Sequence, residues 1–250
     1  LKDRPLFHRQ CYPFRDFLTQ KNRTGIITEF KRQSPSKGII NSTASVAQTV
    51  KAYSEYGASA ISVLTDAKYF GGHLDDLQLA RQHANVPLLR KDFMIDTYQV
   101  AEAKAAGADI ILLIAACLSR QQVSELSSYA FELGLDVLFE VHTVEEIEKM
   151  DAAIKVIGIN NRNLKTFDVD IENSKRVFSA LPDETLKVAE SGLSDPQTVR
   201  MLREYGFQGF LMGENFMKNE YKLLWHVADN VEQAAEMINS KLPAVKHSIL

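Results

Sequence analysis

The chain has 250 residues, 45% of them hydrophobic, which is enough for one large core and fits one big domain as readily as two small ones. Its 29 basic and 32 acidic residues are interspersed and leave a formal net charge of −3, so no nucleic-acid or anionic-membrane partner is called for. No window approaches the ~18 consecutive apolar residues of a membrane span, and "LKDRPLFHRQCY" has no basic-then-apolar order of a signal peptide. Cys11 and Cys117 are far apart and lack metal-ligand neighbours, which fits two reduced thiols in a cytoplasmic protein.

In chain order, residues 1–24 read as an N-terminal extension with a short helix in "PFRDFLTQ" (13–20). Eight short apolar, β-branched runs follow: "GIITEF" (25–30), "SAISVL" (59–64), "VPLLRKDF" (86–93), "ADIILLIA" (108–115), "LDVLFEV" (135–141), "IKVIGIN" (154–160), "TLKVAES" (185–191) and "GFQGFLMG" (206–213). Between them lie segments of helical period, among them "STASVAQTVKAYSEYG" (42–57), "TYQVAEAKAAG" (97–107), "SRQQVSELSSYAFELG" (119–134) and "DPQTVRMLREYG" (195–206). They begin at Ser, Thr or Asp and end at Gly, the usual caps. Residues 219–250 read as a C-terminal helical segment.

Strand then helix, eight times, implies a parallel sheet, and near-continuous apolar strands agree, since parallel strands are covered on both faces. Eight units in this length fit the α/β class as a single (β/α)8 barrel of the phosphate-binding type over 1–250. A doubly wound open sheet is the rival, but the first strand leads into "FKRQSPSKG", neither a GxGxxG nor a P-loop.

Barrel active sites lie at the C-terminal ends of the strands, so the polar residues that close each strand are the candidates. Glu29 and Lys31 are two apart and share a face, which turns both into the barrel mouth while Phe30 faces the helices. By the same alternation Lys91 and Phe93 share a face. The later strands offer Glu140; Asn160 and Arg162; Glu190, Ser191 and Gly192; then Gly213 and Glu214. Unpaired ions at a desolvated site cost several kcal/mol each, so such a cluster needs a reason beyond packing. "SGLS" (191–194) and "MGEN" (212–215) put glycines just past strands seven and eight, where many barrels hold a phosphate. The loop "KRQSPSKGIINST" (31–43) exceeds the usual connection, and Pro35 and Gly38 limit regular structure in it; it is expected to be a mobile lid.

The ordered set "EFKRQSPSKG", "LLRKDF", "FEVHT", "IGINNRNL", "AESG" and "LMGENFM" resembles indole-3-glycerol phosphate synthase over about residues 14 to 218. That resemblance implies a carboxy-lyase of tryptophan biosynthesis. It converts 1-(2-carboxyphenylamino)-1-deoxyribulose 5-phosphate to indole-3-glycerol phosphate with loss of carbon dioxide and water. It implies no cofactor and no metal, a small-molecule substrate and a monomer. By resemblance Lys91 is the general acid at the ribulose carbonyl, and Glu140 assists loss of the hydroxyl. Lys31 meets the anionic part of the substrate, and Glu29 holds the catalytic groups. Asn160 and Glu190 bind hydroxyls and orient the lysine. Ser191, Gly192 and Gly213 hold the phosphate, with Ser34 and Arg162 as further anion contacts. The anthranilate ring needs an apolar slot, for which Phe70, Phe93, Leu112, Ile114, Leu138 and Leu164 are the candidates.

Two departures stand out. Glu214 follows the strand-eight glycine where many members carry a small residue, so its side chain is expected to point away and lend only its backbone N–H. The extra N-terminal helix that helps close the family's pocket is represented by 13–20 alone. His142 reads as a polar neighbour of Glu140, and His73 as a solvated loop residue. The rival readings are phosphoribosylanthranilate isomerase, which would be expected to use Cys and Asp where this chain has Glu29 or Lys31 and Glu140, a Schiff-base aldolase, and a non-catalytic ligand-binding barrel.

Overall fold

The computed structural model of the chain describes residues 1–162, 170–193 and 195–217. Eight parallel strands close into a barrel: β1 (Ile26–Phe30), β2 (Ala60–Leu64), β3 (Leu88–Lys91), β4 (Ile110–Ile114), β5 (Asp136–Val141), β6 (Val156–Asn160), β7 (Leu186–Glu190) and β8 (Gly209–Met212). Each of the eight apolar runs contains one of them. Closure is made by β1, which pairs with β2 on one side (Ile27 with Ala60) and with β8 on the other (Ile26 with Phe210). The expected (β/α)8 architecture is therefore present.

The strand period of two sorts the apolar side chains into two layers. Phe30, Ile61, Val63, Leu113 and Phe139 face out and pack with Val50, Tyr53, Leu77, Val123 and Leu126 of the surrounding helices. Ile27, Ala60, Leu89, Ile110, Leu112, Val156, Val188 and Leu211 face in and fill the barrel interior. Full burial of such a side chain contributes about 1.5–3 kcal/mol.

The helices are α1 (Phe14–Thr19), α2 (Val46–Glu55), α3 (Ala67–Phe70), α4 (Leu74–His83), α5 (Thr97–Ala105), α6 (Arg120–Glu132), α7 (Ile171–Ala180), α8 (Pro196–Tyr205) and the short α9 (Glu214–Met217). Caps fall where the sequence puts them. Ser119 and Gln122 form a capping box at α6, and Gly134 follows that helix at φ +72°. Between β5 and β6 the connection is a single 3-10 stretch, Glu145–Lys149, rather than an α-helix. The expected helical segment 219–250 lies outside the described residues.

One expectation is corrected. The 13–20 helix does not close the pocket; α1 plugs the opposite end of the barrel. Phe14 and Leu18, one turn apart on one face, join the interior cluster. The Phe14 N–H donates to Asp136 Oδ2 (3.0 Å) at the start of β5. The Tyr12 N–H donates to Asp109 Oδ1 (2.8 Å) just before β4. Asp109 is fully buried, and its carboxylate also meets Arg9 (2.6 Å) and Arg81 (2.8 Å). This network fastens the N-terminal segment to the barrel floor, away from the strand ends.

Candidate active site

At the C-terminal end of the strands lies a cavity of about 560 Å³, within the usual size for a small-molecule site. Glu29, Lys31, Ser34, Lys91, Glu140, Asn160, Arg162, Glu190, Ser191, Gly192 and Gly213 all line it, so the strand-end residues do converge. The side chain of Glu214 lies outside the described residues, as does Leu164.

Three carboxylates surround Lys91. Its Nζ lies 3.4 Å from Glu140 Oε2 and 3.9 Å from Glu190 Oε2. Lys31 pairs with Glu29 at 2.5 Å. Asn160 Nδ2 donates to Glu140 Oε1 (3.0 Å), and Asn160 Oδ1 accepts the Arg162 N–H (3.0 Å). Glu29, Glu140 and Glu190 are 3%, 3% and 1% exposed, so their charges are barely screened by water.

Burial lowers the Lys91 pKa, but Glu140, Glu190 and Glu29 outweigh it and raise the pKa above its ordinary value. Lys91 is therefore a charged ammonium that carries a transferable proton. Burial pushes Glu140 up, yet Lys91, His142 and the Asn160 hydrogen bond together hold it below the ordinary value. Glu190 goes the other way. Burial first, then the adjacent Glu140 charge, push it well above the carboxylate range. Glu190 is thus the one of the three acids whose surroundings most favour the protonated form. Its Oε1 is buried and has no hydrogen-bond partner among the described residues.

Two glycines make room for these acids. A Cβ at Gly158 on β6 would sit 1.9 Å from Glu190 Oε1, and one at Gly213 would sit 2.6 Å from Glu29 Oε1. Gly213 thus has a packing reason besides any phosphate contact. Gly158 was not singled out in the sequence, although a glycine inside a strand signals close approach.

Phe70, Phe93, Leu112 and Ile114 form an apolar wall of the cavity. Leu138 is corrected: two residues before Glu140 on the same face, it sits one layer deeper, fully buried in the interior cluster. Leu64, Tyr69, Leu211 and Met212 belong to the lining and were missed. Tyr69 packs edge-on against Phe93 at 6.2 Å.

The 31–43 loop is not irregular throughout. Gln33–Ser34 pairs antiparallel with Gly38–Ile39, so Pro35 and Gly38 shape a small hairpin instead of preventing one. Its tip brings Ser36 and the unforeseen cation Lys37 to the cavity, and Arg162 Nη1 donates to Ser36 Oγ (3.2 Å). His142 lies with Nε2 3.4 Å from Glu140 Oε1, and Nδ1 3.6 Å from Glu146 Oε2. His73 is solvent-facing but caps α4, its Nδ1 accepting the Asp75 N–H (3.1 Å). Among the described residues no group of three or more His, Cys, Asp and Glu is disposed to hold a metal ion.

Known proteins resemble the chain in sequence and in fold. The sequence family described as indole-3-glycerol phosphate synthase matches residues 2–224. A protein of that name from Bacteroides thetaiotaomicron is 53% identical over 195 residues, covering 78% of this chain and 75% of that protein. Another from Acinetobacter baylyi is 46% identical over 225 residues, covering 87% and 83%. Among solved structures, 3-hexulose-6-phosphate synthase from Salmonella typhimurium aligns with a TM-score of 0.61 at 11% identity, over 87% of this chain and 99% of that one. The tryptophan synthase complex from Pyrococcus furiosus aligns with a TM-score of 0.59 at 16% identity, over 86% and 99%; likenesses this distant speak for the barrel alone. With the family matched over nearly its whole length, this chain belongs to the indole-3-glycerol phosphate synthase family.

Proposed function

We propose that Lys91 is the general acid for ring closure and Glu140 the acid–base group for dehydration, in a cavity whose far end grips a phosphate. Family membership supplies the reaction. The chain is a carboxy-lyase of tryptophan biosynthesis that turns 1-(2-carboxyphenylamino)-1-deoxyribulose 5-phosphate into indole-3-glycerol phosphate, carbon dioxide and water.

One observation carries the assignment of roles: a charged lysine enclosed by three acidic side chains in an apolar-walled cavity. Attack of the aromatic ring carbon on the ribulose carbonyl puts negative charge on oxygen, and a positioned ammonium can quench it by proton transfer. Glu190, whose surroundings favour its protonated form, lies 3.9 Å from Lys91 Nζ and can return the proton that Lys91 gives up. The carboxylate then leaves as neutral carbon dioxide, which the apolar wall of Phe93, Leu112 and Ile114 favours. Glu140, kept ionised beside Asn160, takes a proton from the former methylene carbon next to the nitrogen and delivers it to the departing hydroxyl, which leaves as water. Lys31 and Lys37 attract the substrate's anionic groups, with Ser34, Arg162, Ser191, Gly192 and Gly213 assigned to the phosphate end.

The same charges oppose the aldolase reading, since a Schiff-base lysine needs its free amine and therefore a lowered pKa. Mixing chain and substrate should give indole fluorescence matched by carbon dioxide, and borohydride should trap no adduct on Lys91. A folded chain yielding no indole, or a trapped adduct, refutes this reading. No helix among the described residues is long and apolar enough to cross a membrane. The working unit is expected to be a monomer in the cytoplasm; a dimer mass in light scattering would contradict the first point, and recovery with membranes on fractionation the second.

A further inference from the structure

We infer that Asn161, which lines no part of the cavity, is a positioning residue that locks the Ser191–Gly192 peptide with its N–H toward the phosphate end of the site. The inference rests on the reading of that turn as the phosphate grip.

Ser191 has φ +67° and is the single non-glycine residue with positive φ among the described residues; Gly192 follows at +71°. A serine in this left-handed region is strained by its Cβ and needs outside support. Asn161 supplies it. Its Nδ2 donates to the Ser191 carbonyl at 2.9 Å. Its Oδ1 accepts from the hydroxyl of Ser174, fully buried on α7. Its backbone N–H donates to Glu190 O (2.9 Å), and its carbonyl accepts the Asp170 N–H (2.9 Å). Every polar group of this 2%-exposed residue is therefore committed, and it cannot swing to another partner.

The consequence follows from peptide planarity. In a trans peptide the C=O and N–H point in opposite directions. With the Ser191 carbonyl drawn back to Asn161, the Gly192 N–H points the other way, to the cavity that Gly192 lines. A flip of this peptide would present a carbonyl oxygen to the phosphate instead. Glycine at 192 tolerates either sign of φ, so the residue itself offers no resistance to the flip. Asn161 and Ser174 provide that resistance from the neighbouring strand end and helix.

The test compares competitive inhibition by inorganic phosphate and by anthranilate, a probe of the apolar slot, in the wild-type chain and Asn161→Ala. Losing one locked donor to a charged ligand should raise the phosphate inhibition constant and substrate KM about tenfold to a hundredfold. The anthranilate constant should hold, and kcat should change less than KM. Ser174→Ala should shift the phosphate constant in the same direction, by a few fold, and stands in if Asn161→Ala does not fold. No change in phosphate inhibition overturns the inference, and so does equal weakening of both inhibitors, which a merely structural role would give. If phosphate fails to compete in the wild-type chain, the reading of the turn as a phosphate grip fails first and takes this inference with it.

Discussion

Gly158→Ala adds one methyl group in the middle of β6, where it would ordinarily help. Glycine in a strand interior costs roughly 0.5–1 kcal/mol relative to alanine. Here the new Cβ would stand 1.9 Å from Glu190 Oε1, 3.0 Å from its Cδ and 3.4 Å from Leu138 Cδ1. Real Cβ atoms essentially never come within 3.0 Å of such a neighbour, so the carboxyl must retreat by at least 3.0 − 1.9 = 1.1 Å. Glu190 is 1% exposed and has little room to give. Overpacking of this kind costs about 1–3 kcal/mol, and a displacement near 1 Å in a catalytic cluster can cost about a hundredfold in rate. The expected outcome is a Tm drop of roughly 2–10 °C by circular dichroism, with a ten- to hundredfold fall in kcat by indole fluorescence. In the Glu190→Ala background the same substitution should lose most of its stability cost, because the clashing carboxyl is gone. A Gly158→Ala chain with wild-type Tm and kcat would refute the placement of Glu190 against β6.

Glu190→Gln mimics the protonated carboxyl. A raised folded-state pKa means that the wild-type acid contributes stability at low pH, lost as pH rises from the ordinary carboxyl value of about 4.5 through the folded value. The Tm advantage of the Gln variant should thus grow between pH 4 and 8, and a flat difference would contradict it; its kcat should fall, since an amide returns no proton. Phe93→Ala should lower turnover severalfold with little change in Tm, because the ring is 39% exposed and lines the cavity; full activity would remove Phe93 from the slot. The hairpin at 33–39 should gain hydrogen-exchange protection when a phosphate-bearing substrate analogue binds, and equal exchange with and without it would dismiss the lid.

The strands were legible because parallel barrel strands are buried on both faces, so each reads as an unbroken apolar run. For the same reason a polar residue at the end of such a run, Glu29, Lys91, Glu140 or Glu190, stands out in one dimension. Residues that enter the site from loops carry no such contrast. Tyr69 and Lys37 look like ordinary connecting residues until the chain brings them to the mouth. Asn161 was hidden in "INNRN", where nothing separates the asparagine that touches the cavity from the one that holds the neighbouring turn. The α1 helix was assigned to the wrong end because an apolar pair such as Phe14 and Leu18 tells which face is buried and not against what; Asp109, its anchor, is nearly a hundred residues away in sequence. Gly158 was legible in principle, but its reason is a carboxyl on the next strand.

The central claim is that Lys91 delivers the proton for ring closure, and the turnover of Lys91→Ala tests it most directly. The account predicts a folded variant that still binds substrate while kcat falls by about 10²–10⁴. A kcat within tenfold of wild type would show that the proton comes from elsewhere, with Lys31 the next candidate.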